Sequence, residues 1–370
     1  MTNGSSIYAV DGLPVLQNTT YAEASEARCC PTGPVELRRD PRTGIVINSL
    51  FDPSKIVYDA RYQNEQAHSA AFRRHLQAVA DEVTATMDCT GVVEVGCGKG
   101  RFLEVLWARG VDAIGFDPAY EGRDTRIRTQ LFGPEHRISA TAIVLRHVLE
   151  HISDPFSFLS AIREANGGSG TIYVEVPCFD WIRQHRTWFD IFYEHVNYFR
   201  LSDFQRMFGS VRSIGHCFGG QYIRVVADLA SLRAPGPEQG PEPSVPDDFL
   251  GSLHHSIAVD GGRRPVAVWG GSSKGVIFSI IRERLGRAVD CVIDVNPAKQ
   301  GRHLPVTGLR VISPEEALRA LPAGTHTWVM NSNYLPEIAA IAGDHLRLLT
   351  MDAPEAGPSQ DAIHEQGGSS

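Results

Sequence analysis

The sequence lacks paired cysteines, long apolar runs and an excess of positive charge. Its seven cysteines are scattered and none form a CxxC pair, so we expect neither a disulfide framework nor a zinc site. No apolar run approaches the roughly 20 residues that span a bilayer. The formal net charge of −8 argues against a general nucleic-acid binder, which needs a basic face.

The first residues, MTNGSSIYAVDG, also lack the basic start and apolar stretch of a signal peptide. We therefore expect a cytoplasmic protein without a membrane or nucleic-acid partner. We expect its partner to be a small molecule and the chain to be a monomer or a homodimer.

The length of 370 residues is too great for one ordinary core and predicts two or three domains. Five proline residues and four acidic residues between Ala234 and Asp248 indicate a linker or an exposed loop. We divide the chain into an N-terminal acceptor-side region (1–62), a cofactor-binding domain (63–232), a Pro-rich linker or loop (233–250), a C-terminal α/β domain (251–352) and a disordered tail (353–370).

Strands and helices alternate through most of the chain, which predicts an α/β fold with parallel sheets. Apolar spacing predicts a first helix between about Gln63 and Met87, and two β-like segments, Val211–Cys217 and Tyr222–Leu229, predict an antiparallel edge hairpin. Alternation resumes after the linker. The fold class is therefore a Rossmann-like sheet domain, a second smaller Rossmann-like α/β domain and a small N-terminal region.

A glycine-rich turn follows the apolar strand that ends at Val95. Gly96, Gly98 and Gly100 allow positive φ angles and a close approach of the backbone to a ligand. Asp117 follows the next predicted strand, where a carboxylate can accept both hydroxyls of a ribose.

The spacing of the turn separates two cofactor classes. A nicotinamide site favours G-x-G-x-x-G, whereas this turn is G-x-G-x-G, with Glu94 two residues before it. That pattern favours S-adenosylmethionine, and a turn that binds no cofactor is the alternative. We expect cofactor contacts from Glu94, Gly96, Cys97, Gly98, Gly100, Phe102, Asp117, Pro118, Arg146 and His147.

The third strand of the domain runs into RHVLEH, residues 146–151, at the sheet edge where ligands bind. His147 and His151 are four residues apart and could share a metal ion, but no third ligand has a convincing spacing. We therefore predict no metal. His147 could equally cap and pack at the strand exit, whereas His151 lies nearer the expected reaction centre.

The segment WIRQHRTWFDIFYEHVNYFR, residues 181–200, combines aromatic rings with the adjacent pair Glu194 and His195. Such a segment can exclude water from a reacting centre and present an acid–base pair. The alternative is an aromatic lid that carries a surface Glu-His pair.

Taken together, VVEVGCGKGRFLEVL, VLRHVLEHISDP, TIYVEVP and YEHVNYF resemble the sugar C-methyltransferase family of deoxysugar biosynthesis. VWGGSSKG, VIDVNPAKQGRHLPVTGLRVISPEE and NSNYLPEI are similar to that family's C-terminal domain. The resemblance covers about residues 55–350. The chain lacks the paired cysteines of that family's N-terminal zinc module, and here the tyrosine directly precedes Glu-His.

The resemblance implies methyl transfer from S-adenosylmethionine to a carbon beside the ketone of a nucleotide-linked keto-deoxysugar. His195 would be the base and Glu194 would orient it, while Tyr193 and His151 would hold the enolate oxygen or move protons. Substrate contacts would come from Tyr62, Asn197 and Tyr198. The alternative is an O-, N- or C-methyltransferase of the same architecture that acts on another natural-product intermediate.

Three glycines in the C-terminal unit, Gly270, Gly271 and Gly275, form an imperfect nucleotide-binding fingerprint with Asp294. They would contact the nucleotide part of an acceptor or form a plain structural turn. Two other classes remain. One is a protein that binds the cofactor without turnover, and the Glu-His pair argues against it. The other is a dinucleotide oxidoreductase, and the glycine spacing argues against it.

Overall fold

The computed structural model of the chain describes residues 5–59, 61–238 and 240–352. The expected disorder of residues 353–370 lies outside this range. The strands, in chain order, are β1 (Tyr8–Pro14), β2 (Thr32–Arg39), β3 (Val46–Asn48), β4 (Val92–Val95), β5 (Ala113–Phe116), β6 (Ile127–Arg128), β7 (Ala142–Arg146), β8 (Thr171–Pro177), β9 (Asn197–Tyr198), β10 (Val211–Cys217), β11 (Tyr222–Asp228), β12 (Val266–Trp269), β13 (Cys291–Ile293), β14 (Val311–Ile312), β15 (Thr325–Val329) and β16 (Leu346–Thr350).

The α-helices are α1 (Ala24–Arg28), α2 (Ala70–Thr86), α3 (Arg101–Ala108), α4 (Pro155–Ala165), α5 (Phe179–Gln184), α6 (Leu201–Met207), α7 (Gly251–Asp260), α8 (Ser273–Arg284), α9 (Pro314–Ala320) and α10 (Leu335–Ala342). Within the described ranges, no helix is both long and apolar enough to cross a membrane.

The central sheet has seven strands in the order β10-β11-β8-β7-β4-β5-β6. The five strands from β8 to β6 are parallel, and β11 runs antiparallel to β8. All four residues of β4 are buried, as expected for a parallel strand covered on both faces. The α/β fold class is confirmed.

The edge hairpin and the first helix expected from the sequence are both present, but the helix begins at Ala70 rather than near Gln63. The edge hairpin is β10 paired with β11, and it ends at Asp228, one residue earlier than expected. Helix α2 begins at Ala70, because the Ser69 side chain caps it by accepting a hydrogen bond from the Phe72 N–H, and it buries the apolar face read from the sequence.

The C-terminal sheet is entirely parallel, in the order β14-β13-β12-β15-β16. The alternation of strands and helices expected after the linker is present, with α8 between β12 and β13 and α10 between β15 and β16. Strands β14 and β16 lie at the two edges of this sheet. Strand β14 has only two residues, and β16 is half exposed. Neither strand therefore forms a strong apolar run in the sequence.

The N-terminal region pairs with a distant part of the chain. Its strands form the sheet β1-β2-β3-β9, in which Ile47 of β3 pairs with Asn197 of β9. Because β9 directly follows the Glu194–His195 pair, this sheet fixes the position of that pair.

The Pro-rich segment 233–250 contains no helix or strand in its described residues, as expected for a linker or loop. It is nevertheless held against the cofactor-binding domain by ion pairs. Glu238 Oε2 lies 2.5 Å from an Arg200 guanidinium nitrogen, and Asp248 Oδ2 lies 2.8 Å from Arg186 Nε.

Candidate active site

The glycine-rich turn between β4 and α3 has the backbone conformation expected from the sequence. Gly96, Gly98 and Gly100 have φ angles of +74°, +53° and +78°. A Cβ atom at Gly96 would lie 2.5 Å from Val148 Cγ2, so this glycine is required for packing. A Cβ atom at Gly98 would meet nothing within 4 Å. The backbone is therefore open to a ligand at Gly98.

Asp117 lies directly after β5 and braces the same turn. Its Oδ2 accepts a hydrogen bond from the Gly98 N–H at 2.8 Å, and its Oδ1 accepts one from the Ala119 N–H at 2.8 Å. Each carboxylate oxygen has a second lone pair. The carboxylate can therefore hold the turn and still accept hydroxyl groups of a ribose.

Glu94 is a buried carboxyl group beside the turn, with 3% of its surface exposed. Burial raises its pKa to about 8, although the nearby Arg146 guanidinium opposes the shift. Its Oε2 has no hydrogen-bond partner in the described part of the chain. A cationic ligand group would satisfy this oxygen and favour the charged carboxylate.

Three other predicted cofactor residues place their side chains in the protein interior. Cys97 and Phe102 are buried, and the Arg146 guanidinium lies 5.0 Å from the centre of the Phe102 ring. Arg146 donates a hydrogen bond to Glu175 Oε1 at 2.9 Å. Pro118, in contrast, is exposed beyond Asp117. Their contacts with a cofactor stay a prediction.

His147 has a positive φ of +55° and sits between two buried carboxylates. Its Nδ1 lies 3.2 Å from Glu150 Oε1, and its Nε2 lies 3.2 Å from Glu175 Oε1. Burial lowers the pKa of His147, but the two adjacent carboxylates outweigh it and raise the pKa to about 9. The carboxylates therefore favour the charged form of this ring.

A cavity of about 270 Å³ opens beside this edge of the central sheet. Its wall comes from all three sheet regions: the N-terminal region, the cofactor-binding domain and the C-terminal unit. Residues in its lining that carry chemistry are Gln17, Asn18, Tyr62, His68, His147, Glu150, His151, Asp190, His195, Ser272, Ser273, Lys274, Asp294 and Asn296.

Glu194, next to His195 in sequence, is buried, with only 1% of its surface exposed. Its Oε1 accepts hydrogen bonds from the phenol of Tyr62 at 2.5 Å and from the phenol of Tyr58 at 3.1 Å. The same oxygen lies 3.6 Å from His151 Nδ1. Burial raises the pKa of Glu194, while His151 and Tyr62 oppose the shift.

His195 lines the cavity and is 8% exposed. Its ring centre lies 4.0 Å from that of Phe192 and 4.8 Å from that of His151. Burial and the neighbouring histidines lower the pKa of His195 well below its usual value. Its ring makes no hydrogen bond within the described ranges, so a nitrogen is free to take a proton.

Backbone hydrogen bonds bring the two histidine motifs together. The Val196 N–H donates to the carbonyl of Glu150 at 2.8 Å. The Asn197 side-chain amide donates to the carbonyls of Leu149 and Ile152 at 2.9 and 2.7 Å. The segment after His195 is therefore tied to the turn that carries His151.

Four of the predicted catalytic and substrate residues do not line the cavity: Tyr193, Glu194, Asn197 and Tyr198. The Tyr193 phenol accepts a hydrogen bond from the Asp52 N–H at 2.9 Å, and its ring packs against Phe51 in the N-terminal region. Tyr198 uses its hydroxyl on the Phe192 backbone, and Asn197 is occupied by the two carbonyls above. The polar groups of Tyr193, Asn197 and Tyr198 therefore already have hydrogen-bond partners in the backbone.

Sequence reasoning missed Glu150, Glu175, Gln17 and Asn18 as site residues. Glu150 carried a signal, since it lies three residues after His147 and one before His151. Gln17 and Asn18 lie in the N-terminal region and meet the cavity through tertiary folding alone. The Asn18 amide donates a hydrogen bond to Ser273 Oγ at 3.1 Å, across to the C-terminal unit.

The C-terminal unit repeats the brace seen at Asp117. Asp294 accepts hydrogen bonds from the Gly271 and Asn296 N–H groups, each at 2.8 Å. This second turn is more closed, because a Cβ atom at Gly271 would lie 3.2 Å from Asp294 Oδ2. The buried amine of Lys299 also donates to the Gly271 carbonyl at 3.1 Å.

Comparison with known proteins gives a match for the part of the chain that contains the parallel strands of the central sheet. Residues 61–211 match the family model described as a methyltransferase domain. A search of curated proteins finds no match to the chain.

Several solved structures are similar to part of the chain. One is an S-adenosylmethionine-dependent methyltransferase from Archaeoglobus fulgidus, at 18% identity and a TM-score of 0.33, covering 42% of this chain and 94% of that chain. Another is from Mesorhizobium loti, at 14% identity and a TM-score of 0.32, covering 41% and 99%. A third is the plantazolicin methyltransferase BpumL with a monoazolic analog and SAH, at 13% identity and a TM-score of 0.35, covering 46% and 87%.

Proposed function

We propose that this chain, a class I S-adenosylmethionine-dependent methyltransferase with its methyltransferase domain at residues 61–211, methylates the carbon beside a ketone. The acceptor we propose is a nucleotide-linked keto-deoxysugar. The observation that carries the proposal is His195: a buried imidazole without a hydrogen-bond partner in the described ranges, facing a cavity shared with the C-terminal unit.

The residues at the sheet edge fit S-adenosylmethionine. Asp117 has acceptor capacity for the ribose hydroxyls, and the open backbone at Gly98 allows close approach. The unpartnered Oε2 of Glu94 suits the ammonium group of the methionine portion. When bound there, the cofactor supplies an electrophilic methyl group.

A carbon acceptor needs a base, because the proton beside a ketone is only weakly acidic. His195 would take this proton on a ring nitrogen, inside a site whose aromatic neighbours exclude water. Removing the proton leaves negative charge on the ketone oxygen. That oxygen then needs hydrogen-bond donors within the cavity.

His151 is the candidate partner of the developing enolate. Its Nδ1–H already donates to the Glu194 backbone carbonyl at 3.2 Å, so the ring would act on the acceptor through Nε2. Tyr62 lines the same cavity, but its single phenol hydrogen is donated to Glu194, so Tyr62 would position Glu194. Glu194 would thus orient its neighbours rather than touch the reacting carbon.

The part of the cavity wall that comes from the C-terminal unit supports an acceptor larger than the keto sugar alone. Lys274 belongs to this wall, with its ammonium 3.0 Å from Asp190 and 3.1 Å from Gln221 Oε1. Ser272 and Ser273, at the start of α8, also line the cavity. A cation and hydroxyl groups suit the phosphate portion of a nucleotide-linked acceptor.

Incubation with deuterium oxide and a panel of nucleotide-linked keto sugars tests the proposal. We expect the enzyme to exchange the proton beside the ketone of one panel member and to methylate that carbon from labelled cofactor. His195→Asn should lose both reactions and still bind S-adenosylhomocysteine, whereas the exposed His254→Asn should keep both. Methylation of oxygen or nitrogen without proton exchange would favour the alternative acceptor class.

A further inference from the structure

A cluster of metal-ligating side chains lies at the cavity, assembled from two motifs that are distant in sequence. One potential ligand atom from each of Glu150, His151 and His195 lies within 4.8 Å of the others. The sequence spacing of His147 and His151 offered no third ligand. In the fold, the third potential ligand is His195, from the segment that follows β8. The Val196 N–H donates a hydrogen bond to the Glu150 carbonyl and so holds this segment beside Glu150.

The orientation of His151 resembles that of a histidine prepared to bind a metal. A carbonyl oxygen can only accept, so the Nδ1 that lies 3.2 Å from the Glu194 carbonyl carries the hydrogen. That tautomer leaves the Nε2 lone pair available. Metal-binding histidines commonly donate their second ring N–H to a carbonyl or carboxylate in this way.

The other two side chains each have a potential ligand atom without a hydrogen bond in the described ranges. Glu150 is 1% exposed, and its Oε2 has no hydrogen-bond partner in the described part of the chain, because His147 uses Oε1. His195 is likewise buried without a hydrogen bond to its ring. A buried oxygen left unpaired is costly, and a cation would satisfy it.

We propose that Glu150, His151 and His195 bind one divalent transition-metal ion, for which Zn²⁺ is the best-suited class. Two imidazole nitrogens and one carboxylate oxygen match the ligands of open zinc sites, and the cavity leaves room for a fourth ligand. Ligand atoms around tetrahedral zinc stand about 3.3 Å apart, so small rotations of the rings close this site.

The proposed ion would be an inhibitor of the proposed function, and this consequence rests on that function. Zinc on His195 would occupy the nitrogen that takes the proton from the acceptor. His147 limits the affinity, because its Nδ1 already lies 3.2 Å from Glu150 Oε1 and competes for that carboxylate. Glu194 adds a compensating carboxylate on the other side, 3.6 Å from His151.

Isothermal titration of zinc chloride into the metal-stripped full chain tests the site without turnover. We expect one equivalent to bind. Glu150→Gln and His195→Gln should each weaken binding by more than about ten-fold, the effect of losing even an outer partner of a metal site. His68→Gln is the matched control, since His68 lines the same cavity outside the cluster, and it should leave zinc affinity unchanged.

A second cluster, formed by His75, Glu175 and Cys217, provides the discriminating variant. Zinc binding that is lost in Cys217→Ser but kept in His195→Gln would overturn the proposal, as would the absence of binding. Two independent ligand variants, each checked for folding by circular dichroism, keep the outcome interpretable. Reversible loss of proton exchange on adding zinc then tests the inhibition, separately from whether zinc binds.

Discussion

The phenol of Tyr62 donates a hydrogen bond to Glu194, with 2.5 Å between Tyr62 Oη and Glu194 Oε1. The two residues are 132 positions apart in sequence, and Tyr62 also lines the cavity. Tyr58 donates to the same oxygen at the longer distance of 3.1 Å and is 45% exposed. Glu194 is therefore held chiefly by Tyr62.

Tyr62→Phe should slow methyl transfer more than Tyr58→Phe. A hydrogen bond to a charged group is worth about 1.5–3 kcal/mol, so we expect roughly a ten- to hundred-fold loss of kcat for Tyr62→Phe. The weaker, half-exposed bond of Tyr58 should cost less than about ten-fold. Equal effects of the two substitutions, measured by initial rates, would contradict the ranking.

Asp117→Ala should weaken cofactor binding. Removing the carboxylate deletes acceptors for the ribose and the brace on the Gly98 N–H. We expect a loss of about 1.5–3 kcal/mol in the binding free energy of S-adenosylhomocysteine, measured by calorimetry. Asp112→Ala, an exposed change just before β5, is the control. Unchanged affinity in Asp117→Ala would remove this residue from the site.

Cofactor affinity should depend on pH through Glu94. Its pKa is about 8, so its carboxyl group is neutral at lower pH and becomes charged as the pH rises. The charged form attracts an ammonium group, and affinity should therefore increase from about pH 6 to about pH 8.5. Glu94→Gln should flatten this profile, whereas the exposed Glu104→Gln should retain it. A Glu94→Gln profile as steep as that of the unaltered chain would be the contrary result.

Gly96→Ala should destabilise the fold more than Gly110→Ala. Both glycines have φ near +75°, so both alanines incur the left-handed cost of about 1 kcal/mol. Only at Gly96 would the new Cβ meet a neighbour, 2.5 Å from Val148 Cγ2, which adds roughly 1–3 kcal/mol. Urea unfolding measures both values, and matching free energies would contradict the packing argument.

Asn197→Ala should act on stability, since its amide joins the two motifs of the site. The change leaves the Leu149 and Ile152 carbonyls without this donor and should lower the free energy of unfolding by about 1–3 kcal/mol. Asn64→Ala, an exposed change, should have little effect. Full stability of Asn197→Ala with weaker acceptor binding would restore the substrate role expected from the sequence.

The glycine-rich turn and its contact with Asp117 could be predicted from the sequence, because the residues that form them lie close together along the chain. A strand, a glycine turn, a helix and the next strand follow one another, so Gly98 and Asp117 meet once the parallel sheet forms. The acceptor side depends on long-range packing. The residues near Tyr193 in sequence do not indicate that its hydroxyl will accept a hydrogen bond from the Asp52 N–H. The residues near Glu194 likewise do not indicate that Tyr62 will donate a hydrogen bond to it.

The fold could be predicted where apolar runs are long, but the prediction failed at short edge strands. Four of the five parallel strands of the central sheet are mostly buried and were predicted, whereas the two-residue edge strand β6 was missed. Strand β9 has two residues and belongs to a sheet that begins near Tyr8, so no local pattern could reveal it. That pairing decides which side chains of the Glu-His segment reach the cavity.

The brace between a glycine N–H and an aspartate occurs twice, at Gly98 with Asp117 and at Gly271 with Asp294. In both copies the carboxylate ties the end of one strand to the turn after its neighbour, so the aspartate serves the joint itself. Only the first copy leaves open space above its glycine, because the second is narrowed by Asp294 and its carbonyl is used by Lys299. A glycine turn after one strand and an aspartate after the next strand therefore indicate this brace in a sequence, whether or not a ligand binds. The free volume above the glycine shows which brace can also receive a ligand.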